Sequence, residues 1–241
     1  FKKNTLSGIS WSAGSQVIRL ILNLAITSVL ARLLLPEDYG LIGMITVATG
    51  FLMVLRDFGF GAALVQKKEV EEIEYVSVFW LNVIMGVVLA VVVFLSAPLI
   101  ASFYNEPQLI PVTKFMSIGF ILNSLIVVPN NILYKNIQFK NLFVVDISSL
   151  LIGGVVGIIF AYYDWAYWSL VAQSIATQLV TLVVVFYLSK WKPSFQFSGK
   201  ALAGFRSFSL PLIADSSINY WVRNLDNLLI GKYLGKAELG Y

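Results

Sequence analysis

Seven long apolar stretches, cut apart by short polar connections, leave this chain few folds to choose from. A helix needs about 20 apolar residues to cross roughly 30 Å of hydrocarbon at 1.5 Å per residue. Residues 9–35, 40–66, 76–103, 109–133, 143–163, 166–188 and 209–231 each supply that length. The balance of residues agrees, at 58% hydrophobic, 12% charged and a mean hydropathy of +0.81, against roughly 45–50% and 25% in soluble domains. The sequence therefore predicts an all-α, polytopic membrane helix bundle. Pro36 is expected to close the first span, Pro107 and Pro111 to bracket the start of the fourth, and Pro98 and Pro129 to kink span ends.

The stretch Asn23 to Leu41, NLAITSVLARLLLPEDYGL, has a weaker copy in NLDNLLIGKYLGKAELGY, where Arg32, Leu34, Asp38 and Gly40 fall opposite Lys232, Leu234, Glu238 and Gly240. A repeated opening implies a repeated unit. The second copy stops at Tyr241, so the expectation is one whole six-helix lobe, 1–188, a cytoplasmic interfacial linker, 189–208, and the first helix of a second lobe, 209–241, in a piece of a longer chain. Six spans separate the copies, so both enter the membrane from one face. Parallel repeats of this kind occur in transporters whose substrate lies between rocking lobes.

Lys2, Lys3, Lys67, Lys68, Lys135, Lys140, Lys190, Lys192, Lys200 and Arg206 fall in alternate connections, which the positive-inside rule assigns, with the amino terminus, to the cytoplasm. Glu37, Asp38, Glu106 and Asp164 mark the opposite side, where Arg32, Lys114, Lys232 and Lys236 sit close enough to helix ends to snorkel outward. Phe195, Phe197, Phe205 and Phe208 among basic residues suit the linker to a short interfacial helix or to an ordinary basic loop.

With Cys 0 and His 0, the chain offers no disulfide, thiol nucleophile, imidazole base or usual zinc ligands. The net charge of +4 sits in short loops with no basic aromatic face, so no nucleic-acid partner is expected. RDFGFGAALVQKK has the glycines of a phosphate loop without its Lys and Ser/Thr, which argues against nucleotide binding. Glu69, Glu71, Glu72 and Glu74 lie among lysines and read as a solvated turn rather than a cluster able to activate a hydroxyl or hold a metal. A non-enzyme without cofactor or metal is expected.

Charge inside the membrane asks for an explanation, and its default reading is function. Arg19 lies near the middle of the first span, with Gln16, Asn23 and Thr27 on about the same helical face. It either faces an aqueous cavity and grips an anionic substrate, the preferred reading, or is neutralised by a carboxylate on a neighbouring helix. Arg56 and Asp57, beside Gly59 and Gly61, either contact substrate or brace the second helix. In the seventh span Asp215, Asn219, Arg223, Asp226 and Asn227 share one broad face, where Arg223 either pairs with Asp226 or faces Arg19 across a cleft. Asp146, near the start of the fifth span, reads as a structural charge at a helix N-terminus. Asn82, Asn123, Gln173 and Gln178 either line the cavity or join helices.

Six segments in order, LARLLLPEDYGLIGM, RDFGFGAALVQKK, FWLNVIMG, APLIASFYNEPQL, LYKNIQFK and NLDNLLIGKYLGKAELGY, resemble the bacterial polysaccharide-repeat flippases. These belong to the multidrug/oligosaccharidyl-lipid/polysaccharide exporter superfamily, and the likeness is above all to the branch serving O-antigen, colanic-acid-like and teichuronic-acid-like polymers. The segment AYYDWAYWSLVAQ departs from it, being heavier in aromatics than the glycine-rich turn of relatives. The resemblance implies two six-helix lobes, as in multidrug-extrusion transporters, in a bacterial inner or plasma membrane. It implies an undecaprenyl-diphosphate-linked oligosaccharide moved to the outer leaflet, with polymerase and chain-length proteins as further partners. By position in the spans it implies a cationic cavity at Arg19, Arg56 and Arg223, with Gln16, Asn23, Asp57, Asn219 and Asp226 as supporting polar groups. A cation-coupled drug exporter on the same scaffold and a non-transporting scaffold of a polysaccharide-synthesis complex are the alternatives.

Overall fold

The computed structural model describes residues 2–56, 60–67, 69–199, 202 and 206–241, with side chains over 14, 16–54, 60–61, 63–67, 69–199, 202 and 215–241. Among them the helices are α1 (Lys2–Leu33), α2 (Pro36–Arg56), α3 (Phe60–Gln66), α4 (Glu72–Tyr104), α5 (Leu109–Met116), α6 (Ile118–Lys135), α7 (Phe139–Tyr162), α8 (Trp168–Ser189), α9 (Arg206–Tyr233) and α10 (Lys236–Gly240). Six stretches within these helices are long and apolar enough to cross a membrane: Gln16–Leu33, Pro36–Val54, Glu72–Tyr104, Leu109–Lys135, Phe139–Tyr162 and Trp168–Ser189. The chain is a polytopic membrane helix bundle.

Local chemistry explains the element ends. Pro36 opens α2, where its missing N–H costs nothing, and Asp38 Oδ2 accepts the Leu35 N–H at 3.0 Å. Asn105 closes α4 in the left-handed region at φ 57°, Glu106 N–H returns to Ala101 O at 3.0 Å, and Pro107 follows. α5 and α6 run on through Ser117, which keeps helical angles, as one span. The expected second span of 40–66 covers most of α2 and all of α3, with residues 57–59 outside the described residues. α9 is about 42 Å long at 1.5 Å per residue, but Asp215, Arg223, Asp226 and Lys232 keep it out of the six most apolar spans.

α7 is the centre of the packing. Its Gly153 and Gly157 face Thr177 and Gln173 of α8, while Gly154 faces Ile26 of α1. Small residues let helices approach where lipid supplies no hydrophobic drive between them. Ile26 and Leu30 of α1, with Leu34 just beyond it, bury with Ala161 of α7, and Leu41, Met44, Ile45, Tyr104, Leu109, Val112 and Val171 form a core at the end of the bundle bearing Glu37 and Glu106.

The opposite end carries the lysines. Lys67 pairs with Glu74, which is buried, and Lys135 Nζ donates to the carbonyls of Leu64, at 3.0 Å, and Lys67. Within the acidic run Glu74 alone is buried, and it also accepts the Glu71 N–H at 3.0 Å; Glu69, Glu71 and Glu72 are exposed, as a solvated turn requires, with Glu72 accepting the Trp191 indole N–H at 2.7 Å. Residues 190–198 have no helix and lie along the start of α4, with Trp80 Nε1 donating to Ser194 O at 2.8 Å and Trp80 stacked on Phe195 at 5.4 Å. Phe205 lies outside the described residues and nothing is described of Phe208's side chain.

At the acidic end the two copies of the opening motif meet. A Cβ at Gly40 would overlap the carbonyl of Lys236, and one at Gly240 would overlap the carbonyl of Pro36. The contact is reciprocal, position 40 meeting 236 and position 240 meeting 36, which is the signature of a local two-fold relation. α9 lies against α2, where Tyr220 Oη donates to Val47 O at 2.8 Å and the Trp221 ring sits 5.4 Å from Phe51.

Candidate functional site

Gln16, Arg19 and Asn23 stand three and four residues apart on α1, so one face carries all three. They line a cavity of about 410 Å³ together with Tyr134 of α6 and Phe139, Leu142, Phe143 and Asp146 of α7. Arg19 lies about 21 Å from the Leu33 end of α1, and Asp146 about 10 Å into α7, at 1.5 Å per residue. Both lie within the spanning segments.

Arg19 Nη1 approaches Asp146 Oδ2 at 3.6 Å, with the side chains 64% and 40% exposed. The pair is thus open rather than sealed in a dry interior. Asp146, expected to be a structural charge near a helix start, instead faces the guanidinium. Its partner was hard to find in the sequence because 127 positions separate the two groups. Tyr134, one residue from the end of α6, borders the same cavity.

The other sequence candidates lie elsewhere. Arg56 ends α2, with nothing described of its side chain, and Asp57 lies outside the described residues. Asn219, Arg223 and Asp226 are exposed on α9 and do not border the Arg19 cavity. Among the described residues no ion pair joins Arg223 to Asp226; Asn219 Nδ2 donates to Asp215 Oδ2 at 3.2 Å, and Asp226 Oδ1 accepts the Asn227 N–H at 2.8 Å.

A second, neutral cavity of about 360 Å³ lies between α2 and α8, lined by Tyr39, Ile42, Leu170, Gln173, Ser174, Thr177 and Gln178. Asn123 Nδ2 donates to Gln178 Oε1 at 2.8 Å, so Asn123 joins α6 to α8. Among the described residues no group of three or more carboxylate, His or Cys side chains could hold a metal ion.

At the acidic end Lys236 Nζ lies 3.3 Å from Glu106 Oε2 and 3.9 Å from Glu37 Oε2. Lys232 Nζ donates to Phe103 O and sits 4.7 Å from the Phe103 ring centroid. These lysines do not simply snorkel: they tie α9 and α10 to α4 and α2.

The description "Polysaccharide biosynthesis protein" belongs to the family whose sequence model matches residues 29–241. The chain belongs to this family. The lipopolysaccharide biosynthesis protein WzxC of Escherichia coli (strain K12) is 31% identical over 250 residues, covering 99% of this chain and 49% of that protein. The teichuronic acid biosynthesis protein TuaB of Bacillus subtilis (strain 168) is 29% identical over 240 residues, 99% of this chain and 50% of its own. The succinoglycan biosynthesis transport protein ExoT of Rhizobium meliloti (strain 1021) is 27% identical over 239 residues, 99% of this chain and 48% of its own. The chain spans about half the length of these family relatives. No solved structure matches it. The family and its relatives place the chain in polysaccharide biosynthesis, as the six segments implied.

Proposed function

We propose that this chain is the substrate-gripping part of a flippase that moves a polyprenyl-diphosphate-linked oligosaccharide between membrane leaflets by alternating access. The observation that carries this reading is Arg19: a guanidinium inside the first spanning segment, accessible, and flanked by the amides of Gln16 and Asn23 around one cavity. A guanidinium stays charged in a low-dielectric setting and presents planar, multidentate donors to phosphate oxygens. The reciprocal packing of the two motif copies supports a parallel repeat, two lobes related by an axis along the membrane normal and able to rock against each other. The transport named for the succinoglycan relative is consistent with it. The basic end would face the cytoplasm and the end holding Glu37, Glu106 and Lys236 the outside.

A cation exporter would need carboxylates in excess, whereas among the described residues the one carboxylate bordering this cavity is matched by Arg19. The test is transfer of a labelled diphosphate-linked glycolipid between leaflets of liposomes. Arg19→Ala removes charge-assisted contacts of about 1.5–3 kcal/mol, so transfer should fall roughly 10- to 100-fold. Unchanged transfer would refute the reading, and no transfer by the parent protein would favour a scaffold.

A further inference from the structure

The cavity that should receive an anion already contains one. Asp146 sits on α7, faces Arg19 across the α1–α7 junction, and borders the same space. Their separation of 3.6 Å is looser than the roughly 2.7–2.9 Å of a charge-assisted hydrogen bond. Both groups are open to an entering ligand, at 64% and 40% exposure. Nor is the pair needed to hold the two helices together, because Gly154 seats Ile26 and the Ile26, Leu30, Leu34 and Ala161 cluster buries apolar surface between them. A weak, accessible pair with independent packing beside it is suited to exchange.

We infer that Asp146 is the resident counter-anion of Arg19: it holds the guanidinium until a diphosphate displaces it, and takes the guanidinium back when the diphosphate leaves. This rests on the flippase reading. It makes Asp146 a positioning and specificity-determining residue. A singly charged phosphodiester headgroup offers Arg19 little that the carboxylate does not, while a diphosphate brings more charge and more acceptor oxygens, with Gln16 and Asn23 beside it. The carboxylate thereby screens bulk anionic phospholipid out of the cavity. It also supplies the competing charge that lets a tightly gripped diphosphate go.

The experiment measures inorganic pyrophosphate affinity of the purified protein in phosphatidylcholine nanodiscs, with and without phosphatidylglycerol, and the KM and kcat for labelled diphosphate glycolipid in liposomes. Asp146→Asn should tighten pyrophosphate binding about two- to fivefold, the scale of an ion pair between half-exposed groups. The variant should lose affinity when phosphatidylglycerol is added, where the parent does not. In transport, KM and kcat should fall together. The gain should vanish when Arg19→Gln is combined with Asp146→Asn. A merely structural pair predicts unchanged or weaker binding, and that result, or a gain that persists without Arg19, would overturn the inference. Asp146→Ser serves for the same measurements should the Asn variant fail to fold. If Arg19→Ala leaves transfer intact, the flippase reading itself fails. If Arg19→Ala lowers transfer but Asp146→Asn gains nothing, the inference alone is lost.

Discussion

Glu74 shows how little a charge's neighbours in sequence say about its surroundings. Three other glutamates stand within five positions of it, yet Glu74 is buried and paired with Lys67, while Glu69 and Glu71 stay exposed. Glu74→Ala removes the acceptor of the Glu71 N–H and one partner of an ion pair whose lysine is exposed, so it should cost about 1–2 kcal/mol. Thermal unfolding in detergent checks this, with Glu69→Ala, at an exposed position, expected to change stability by no more than about 0.5 kcal/mol. Asp146 teaches the same lesson with a functional outcome. In the sequence it is one acid near the start of a span; in the fold it is the group facing Arg19.

At the scale of the element, α7 is the helix on which the site depends, since it carries Asp146 and packs against both α1 and α8. A Cβ at Gly157 would stand 2.9 Å from the Cβ of Gln173, and one at Gly153 would overlap the Thr177 hydroxyl. Gly157→Leu should therefore push α8 away and destabilise the bundle by about 1–3 kcal/mol, the usual cost of overpacking. Gly14→Leu is the control, because among the described residues nothing lies within 4 Å of a Cβ there. The comparison is read from the two variants' unfolding temperatures. Should Gly14→Leu prove as costly as Gly157→Leu, close packing is not what these glycines provide.

Across the whole molecule, the end bearing Glu37 and Glu106 is closed by the meeting of the two motif copies. Gly40 and Gly240 let backbone touch backbone, while Lys236 binds Glu106 and Glu37, and Lys232 binds Phe103 O. An alternating-access cycle would have to part these contacts to release cargo on that side. Gly40→Val and Lys236→Met should both loosen the end. Cysteines introduced by Glu37→Cys and Ala237→Cys report on it cleanly, because this chain has Cys 0. A short bifunctional thiol reagent should cross-link them in the parent background and do so several-fold less when Gly40→Val is added. Equal cross-linking in both backgrounds would mean that the glycine contact does not hold this end shut.

The sequence by itself determined the class, the helices and the polar stripe on α1, because span length, apolar content and helical spacing are local properties. It also contained the duplicated motif, from which a two-fold arrangement could be anticipated but not its contact. What only the tertiary structure decided is which groups face one another. Arg19 meets Asp146 because α7 folds back along α1, the polar stripe on α9 is exposed and does not border the Arg19 cavity, and Lys236 finds Glu106 across 130 positions. Periodicity assigns a residue to a face of its own helix; the partner for that face is chosen by packing, through small residues such as Gly154 and Gly40 whose neighbours are far away in the chain.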